Sequence, residues 1–324
     1  MLKKSSVLSA LALAVLSSAH DAAAQGAYPS RPVRLIVPSA PGGGTDFTAR
    51  TLAQKLTESL GQTVIVDNRA GAAGNIGVEI AAKSSPDGYT LVMPITSFSI
   101  NPHLYSKLAF DTIKDFSPIV LASSAPLFLV ITPSVPAKSV GELIGVAKAK
   151  AGQLNYANSG NGTTAHLAGE LFKKMAGVNL VSVPYKGGGP AVIDLIAGRV
   201  QVYFSTIPAA LAHVQSGRLR GIAVTTTKRV NLIPEVPTVA ESGLPGFEVV
   251  GWFGIFAPVG TPRPVVAKLN KELNDALRTP DIQQRFAGQG LIPGGGTPEE
   301  LDRFLRAEIA KWGALIREAG IQGS

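Results

Sequence analysis

The chain has 324 residues, a formal net charge of +8 and no cysteine. Its length exceeds that of one average domain, so we expect two lobes, and the lack of cysteine excludes a disulfide framework. Lysine and arginine are scattered singly and aromatic residues make up only 6% of the chain, so the basic charge does not indicate a nucleic-acid site. A modest positive field raises the encounter rate with small acidic ligands; the alternative is a basic, solvated surface with no such role.

The first residues are typical of a secretory signal peptide. Lys3 and Lys4 precede a mostly apolar run at residues 7–16, and three alanines at 22–24 form a small-residue cleavage site. We therefore predict a signal peptide over residues 1–24 and export to a bacterial periplasm. The apolar run is shorter than the roughly 20 residues of a membrane-spanning helix. Because no cysteine can accept a lipid, we expect a freely diffusing monomer that neither inserts into the membrane nor is anchored to it.

Strand-like and helix-like runs alternate through the first half of the mature chain. Predicted strands span residues 33–37, 64–66 and 90–93, and predicted helices span 46–60 and 75–82. This alternation predicts a mainly parallel sheet with helices on both faces.

The alternation restarts after an apolar stretch at residues 119–131. Further strands are predicted at 154–157, 180–183, 200–204, 221–225 and 247–256, and helices at 140–149, 163–175, 264–277, 280–288 and 298–319. The apolar stretches near 119–131 and 247–257 are typical of two crossings between lobes. We therefore predict one lobe from residues 25–124 and 251–324, another from 125–250, and a ligand cleft between them.

A glycine-rich turn connects the first predicted strand to the first predicted helix. Its residues are Pro41, Gly42, Gly43, Gly44, Thr45 and Asp46. Glycine lets the backbone approach a ligand closely, and the first N–H groups of a helix have no intrahelical acceptor. Such donors favour phosphate, sulfate or carboxylate. A tight turn without a ligand is the alternative.

A second glycine-rich turn precedes the helix predicted at 163–175. It contains Ser159, Gly160, Asn161, Gly162 and Thr163, with His166 one turn further on. The glycines formally match a dinucleotide fingerprint, which needs an acidic residue after the next strand. That strand is instead followed by Tyr185, Lys186 and Gly187. A nicotinamide cofactor is therefore disfavoured, no cofactor is expected, and an anion near Lys186 is favoured.

Several of these side chains also have structural interpretations. Thr96 and Ser97 follow a predicted strand at the sheet edge where α/β proteins bind ligands, but hydroxyls there also form turns. His166 could donate to a ligand carboxylate or be a packed or helix-capping residue. Tyr185 could line the cleft or belong to the core.

The sequence contains little that indicates a catalytic site or a metal site. The mature histidines are His103, His166 and His213, without the spacing of a metal-binding pair. Ser159 lacks the Gly-x-Ser-x-Gly context of a nucleophile elbow. A triad of Ser159, His166 and Asp46 stays open, so the alternative to a binding protein is a periplasmic hydrolase or isomerase that acts on a carboxylate with His166.

A series of motifs resembles one family along nearly the whole mature chain. The motifs are Tyr28-Pro-x-Arg-Pro-Val33 leading into Pro41-Gly-Gly-Gly-Thr-Asp46, Val66-Asp-Asn-Arg-Ala-Gly71, Pro86-Asp-Gly-Tyr-Thr-Leu91, Val183-Pro-Tyr-Lys-Gly187, Pro237-Thr-Val-Ala-Glu-Ser-Gly243 and Trp252-x-Gly-x-Phe-Ala-Pro258. Together they resemble the Bug (TctC-type) extracytoplasmic solute receptors.

The resemblance implies a type II periplasmic binding protein fold, with two doubly wound α/β lobes joined by a hinge of two crossing strands. It also implies a receptor that delivers carboxylates to the integral membrane subunits of a tripartite tricarboxylate transporter and has no catalytic role. Ligand carboxylates are then expected at the loops 41–46, 159–166 and 185–187. Many members of the family have Asp where this chain has Ser205. A hydroxyl there suits an anionic ligand, so we expect a dicarboxylate, with an aromatic, phthalate-type diacid as one option.

Overall fold

The computed structural model describes residues 28–185 and 187–319. The predicted signal peptide at residues 1–24 and Lys186 lie outside the described residues. These described residues form ten strands: β1 Val33–Val37, β2 Val64–Asn68, β3 Thr90–Val92, β4 Phe116–Ile131, β5 Asn155–Asn158, β6 Val181–Pro184, β7 Val202–Thr206, β8 Arg220–Val224, β9 Val250–Pro258 and β10 Ile292–Gly295.

In the same part of the chain, ten α-helices lie between and after these strands. They are α1 Gly44–Leu60, α2 Asn75–Ala82, α3 Ser97–Leu104, α4 Val140–Ala149, α5 Thr164–Ala176, α6 Gly188–Ile196, α7 Ile207–Gln215, α8 Arg263–Arg278, α9 Pro280–Gly288 and α10 Pro298–Ala319, with a short 3₁₀ turn at Ala72–Gly74. Within the described ranges, no helix has the length and apolar character that crossing a bilayer requires.

The strands form two sheet regions that share β4. In the first, β1 lies between β2 and β3 in parallel, and β9 pairs antiparallel with β3 and β4. In the second, β5 lies between β6 and β7 in parallel, and β7 and β8 pair antiparallel with β4. The carboxyl ends of β1, β3, β5, β6 and β7 are followed by helices, which is the βαβ arrangement that the alternating pattern predicts.

Strand β4 is long, and twelve of its 16 residues are buried, which favours a strand inside a sheet. Residues up to Pro126 pair with β9, and from Leu127 onward the strand pairs with β7 and β8. This change of partner supports the lobe division at residues 124/125 and 250/251, which we keep as a proposal. The first of the two predicted crossings, near residues 119–131, corresponds to β4, which runs through both sheet regions. The chain returns to the first sheet region between the end of β8 and the start of β9.

Each sheet region has its own apolar core. Leu35, Leu52 and Leu273 belong to the core between the first region and helices α1 and α8. Phe172, Phe204 and Phe247 belong to the core of the second region. The C-terminal helix α10 contributes Leu301 and Leu305 to a cluster on the first region and Trp312 to the core of the second. It therefore packs against both halves of the molecule.

Most predicted elements agree with the observed ones within a few residues, but helices α3, α6, α7 and strand β10 were not predicted. Helix α6 begins Gly-Gly-Pro and helix α7 begins Ile-Pro, compositions that usually indicate loops. Proline is tolerated in a first helical turn because its missing N–H would have no intrahelical partner there. Burial of Leu195 and Ala210 then stabilises these short helices.

Candidate ligand-binding cavity

A cavity of about 870 Å³ lies between the two sheet regions. One wall comes from the start of α1, Thr96 and Phe253, and the opposite wall from Ser159, Thr163 and the start of α7. Roughly 300–1,000 Å³ is the usual size of a small-molecule site, so the cavity can enclose a metabolite.

Five helix N-termini from the described part of the chain line this cavity. The first-turn residues that reach it include Gly44 of α1, Ser97 of α3, Thr164 of α5, Gly188 of α6 and Ile207 of α7. A helix N-terminus has unsatisfied N–H groups and carries roughly half a positive charge. Because α1 and α3 lie on one wall and α5, α6 and α7 on the other, both walls favour a negatively charged ligand.

The predicted anion turn before α1 has free backbone donors. The first intrahelical bond runs from the Phe47 N–H to the Gly43 carbonyl, at 2.9 Å. The N–H groups of Gly44, Thr45 and Asp46 precede it, and within the described part of the chain they donate to no other group. Gly44, Thr45 and Asp46 line the cavity, so these donors are available to a ligand there; anion binding by this turn stays a prediction.

The carboxylate of Asp46 organises the same turn. It accepts from the Gly42 N–H, from Arg50 Nε and from Asn68 Nδ2, each at 3.0 Å. Burial alone would raise the pKa of Asp46, but the hydrogen bonds from Arg50, Gly42 and Asn68 outweigh it and hold the pKa below its ordinary value. Asp46 is therefore charged at neutral pH and is neutralised by Arg50.

The second turn is fixed by its own side chains. The Gly160 N–H donates to Asn158 Oδ1 at 2.8 Å, and the Thr163 hydroxyl donates to the Gly160 carbonyl at 2.7 Å. The Leu167 N–H donates to the Thr163 carbonyl. Thr164 and Ala165 precede that bond and line the cavity, so their N–H groups face the ligand space from the second wall.

His166 lies behind the turn, and the cavity lining does not include it. Its Nδ1 accepts the Gly162 N–H at 3.2 Å, and its Nε2 is 4.0 Å from Glu170. Burial is the main cause of a lowered pKa of His166, so the ring is neutral and suited to accepting that hydrogen bond. This geometry matches the packed, turn-stabilising interpretation of His166.

Half of the predicted site residues line the cavity. The residues that line it are Gly42, Gly43, Gly44, Thr45, Asp46, Thr96, Ser97, Ser159 and Thr163. The predicted residues that do not line it are Pro41, Gly160, Asn161, Gly162, His166, Tyr185, Gly187 and Ser205. Lys186 lies outside the described residues. The Tyr185 hydroxyl donates to Asp194 at 2.9 Å, and the buried Ser205 hydroxyl donates to the Thr206 carbonyl at 3.0 Å. The role of each of these residues in binding stays a prediction.

Other lining residues were not predicted from the sequence. They are chiefly Phe47, Arg50 and Thr51 on α1, Ile207, Pro208 and Ala209 on α7, Phe253 on β9, and Arg285, Gln289, Gly290 and Leu291 at the end of α9. Phe253 lies inside the Trp252-to-Pro258 motif, and Pro208 is the signal of a helix start. Nothing in the local sequence brings Arg285, about 240 residues after Gly44, to the same cavity.

The side chains of the conceivable triad have other partners among the described residues. Asp46 is bonded to Gly42, Arg50 and Asn68, the Ser159 hydroxyl donates to Thr163, and His166 accepts from Gly162, so these three side chains do not form a triad. No cluster of three or more His, Asp or Glu side chains in this part of the chain could hold a metal ion.

The comparison with known families identifies the chain. A model of the "Tripartite tricarboxylate transporter family receptor", TctC, matches residues 48–321. The chain belongs to this family. Among TctC relatives, the protein BugT of Bordetella pertussis is 40% identical over 295 residues, which cover 90% of each chain. The resemblance to the Bug family that the sequence motifs predict is therefore confirmed.

Solved structures of TctC-type proteins share the fold. The structure of Rpa4515 from R. palustris with adipate has a TM-score of 0.85 and 38% identity, covering 92% of this chain and all of the other. The periplasmic binding protein BugD gives 0.81 and 37% with the same coverage. MatC from Rhodopseudomonas palustris with bound malate gives 0.79 and 32%, covering 89% of this chain and all of MatC. The predicted two-lobed α/β fold of the periplasmic binding proteins is confirmed.

Proposed function

We propose that this TctC family receptor binds a small carboxylate between its lobes in the periplasm and delivers it to the integral membrane subunits of a tripartite tricarboxylate transporter. One observation carries the proposal: the N-termini of five helices from opposite walls converge on a single cavity. Backbone donors on both walls favour an anion that contacts both lobes at once.

The chemistry of the lining favours a dicarboxylate with an apolar middle. Phe47, Phe253, Leu291 and Ile207 provide apolar surface between the helix starts. The ligands in the Rpa4515 and MatC structures, adipate and malate, both carry two carboxylates, and adipate has an apolar spacer between them. Ser205 does not line the cavity, so the preference rests on the lining residues and not on that position. An aliphatic and an aromatic diacid are both compatible with these walls.

Binding without turnover follows from the same contacts. The side chains of the conceivable Ser159, His166 and Asp46 set are engaged by other partners. Backbone N–H groups stabilise a carboxylate without supplying a nucleophile or a base. The ligand is therefore expected to leave the protein chemically unchanged.

Mass spectrometry of the small molecule that co-purifies with the protein tests this function. We expect the intact complex to carry one molecule per chain, and denaturation to release a di- or tricarboxylic acid. Returning the released acid to the stripped protein should restore the complex and raise the melting temperature, since a ligand at 100 times its Kd stabilises the native state by about 2.7 kcal/mol. Release of an amine, a sugar or a chemically altered acid would contradict the proposal.

A further inference from the structure

We propose that Arg285 binds the second carboxylate of the ligand and so makes the cavity select dicarboxylates over monocarboxylates of equal length. The inference rests on the proposed function and deepens it. It concerns a residue on helix α9, far in sequence from both glycine-rich turns.

The charge balance of the lining singles out this residue. The charged side chains among the described lining residues are Asp46, Arg50 and Arg285. Arg50 Nε lies 3.0 Å from Asp46, so these two charges neutralise each other. Within the described ranges, no carboxylate lies within ion-pair distance of Arg285. Its Nη1 donates a long hydrogen bond, 3.4 Å, to Gln54 Oε1. Arg285 thus supplies the net positive charge of this lining.

The position of Arg285 separates it from the free N–H groups. Phe286, the next residue, packs against Phe47 with ring centroids 6.2 Å apart, which holds α9 against α1. Gln54, the partner of Arg285, follows Gly44 by ten residues. At 1.5 Å per residue, Gln54 lies about 15 Å along the helix axis from the anion turn. Gln54 is exposed and does not line the cavity, and Arg285 is exposed as well. Arg285 therefore marks a second region that attracts an anion, at the rim of the cavity and apart from the start of α1.

The wall between these regions is apolar. A Cβ atom at Gly44 would lie 3.7 Å from the Phe253 ring and 3.9 Å from Leu291, and Phe47 lies on the same wall. A straight-chain diacid presents an apolar spacer to this wall and a carboxylate to each anion region. A monocarboxylate would place its apolar end beside the Arg285 guanidinium, and the charge-assisted hydrogen bond to a second carboxylate would then not form.

Isothermal titration calorimetry with paired ligands tests this inference. The probes are straight-chain C4 to C8 diacids, each paired with the monoacid of the same carbon number, such as adipate with hexanoate. We expect Arg285→Gln to weaken binding of the tightest diacid about tenfold, the loss of one charge-assisted hydrogen bond, and to change the affinity for its monoacid less than twofold. Arg278→Gln is the matched control, because Arg278 is exposed on neighbouring α8 and does not line the cavity; it should change neither affinity.

The results separate this inference from the proposed function. An unchanged diacid affinity in Arg285→Gln, or an equal loss for diacid and monoacid, would overturn the role of Arg285 while carboxylate binding by the wild type still stood. Selectivity that disappears in Lys186→Gln and persists in Arg285→Gln would overturn it as well. If the wild type bound none of these acids, the proposed function itself would fail. Circular dichroism melts of each variant confirm that the fold is retained.

Discussion

At the start of helix α1, a single buried carboxylate holds the anion turn in place. Asp46 accepts hydrogen bonds from Gly42, Arg50 and Asn68. Each of these hydrogen bonds is stronger when the Asp46 carboxyl group is ionised than when it is protonated. The sequence predicts that Asp46 contacts the ligand, and this role stays a prediction. Its hydrogen bonds also shape the loop at the start of α1 that lines the cavity.

We expect Asp46→Asn to lower the free energy of unfolding by about 1–3 kcal/mol at neutral pH, because a buried, charged hydrogen-bond acceptor is lost. The pKa of Asp46 is lowered in the folded protein. Its stabilising contribution is therefore fully present above the ordinary carboxyl pKa, about 4, and is lost as the pH falls through the folded value. The difference between wild type and variant, measured by urea unfolding, should shrink in acid.

Asp87→Asn provides the control for this prediction. Asp87 pairs with Arg31 at 3.0 Å, with side chains 41% and 63% exposed. Its Oδ1 also accepts the Tyr89 N–H at 3.0 Å, a bond that the amide oxygen of Asn can keep. Exposed ion pairs contribute roughly 0–1 kcal/mol, so this variant should unfold nearly as the wild type does. A loss in Asp46→Asn no greater than in the control, or one independent of pH, would refute the assigned role of Asp46.

At the level of elements, strand β8 depends on a glycine that the sequence pattern does not single out. Gly221 pairs with Val130 on β4, and a Cβ atom there would lie 1.9 Å from the ring of Phe128. Phe128 is completely buried. The ring therefore occupies the space that any side chain at position 221 would need.

We expect Gly221→Ala to reduce stability by about 1–3 kcal/mol, the usual effect of overpacking a core. Gly141→Ala in helix α4 is the matched control, since no heavy atom lies within 4 Å of its added Cβ and alanine favours a helix. Chemical unfolding should show a lower midpoint for the first variant and an equal or slightly higher one for the second. Equal midpoints in both would mean that β8 and Phe128 are not packed as described.

Sequence patterns identified elements best where strong local signals coincide. Helices α4, α9 and α10 have the predicted bounds, because Ser139 caps the first and proline opens the other two. Helix α3 was missed because it is short and contains Pro102. Its Ile100 is completely buried, so packing stabilises a helix that local propensity does not favour.

The candidate site was partly predictable for the same reason. Gly42–Asp46 and the turn at Ser159 follow strands and open helices, a local signal that sequence carries. Arg285, Leu291 and Phe253 reach the cavity only through the packing of α9 and the pairing of β9 with β3 and β4. Contacts between residues that are far apart in the sequence cannot be predicted from the local sequence pattern.

At the scale of the whole molecule, helix α10 packs against both sheet regions. Trp312 is completely buried in the core that contains Phe172, and its Nε1 donates to Glu308 at 2.8 Å. We expect Trp312→Ala to reduce the free energy of unfolding by about 3–5 kcal/mol, because the substitution leaves a large cavity. Arg306→Ala, on an exposed part of the same helix, should change it little. Similar values for both in urea unfolding would rule out a structural role for the end of α10.

The central claim, carboxylate binding between the lobes, depends on open space at the start of α1. Gly43 has ordinary dihedral angles, φ −86° and ψ 173°, and no heavy atom lies within 4 Å of a Cβ built there. A tryptophan at this position should therefore fold normally and occupy the cavity. Gly141→Trp places the same side chain on open surface away from the cavity.

Calorimetric titration of wild type, Gly43→Trp and Gly141→Trp with the co-purifying carboxylate is the most direct measurement. We predict one site per chain in the wild type and in Gly141→Trp, and at least about a tenfold loss of affinity in Gly43→Trp, since every 1.4 kcal/mol of lost contact is tenfold. Wild-type affinity in a folded Gly43→Trp variant would contradict the account.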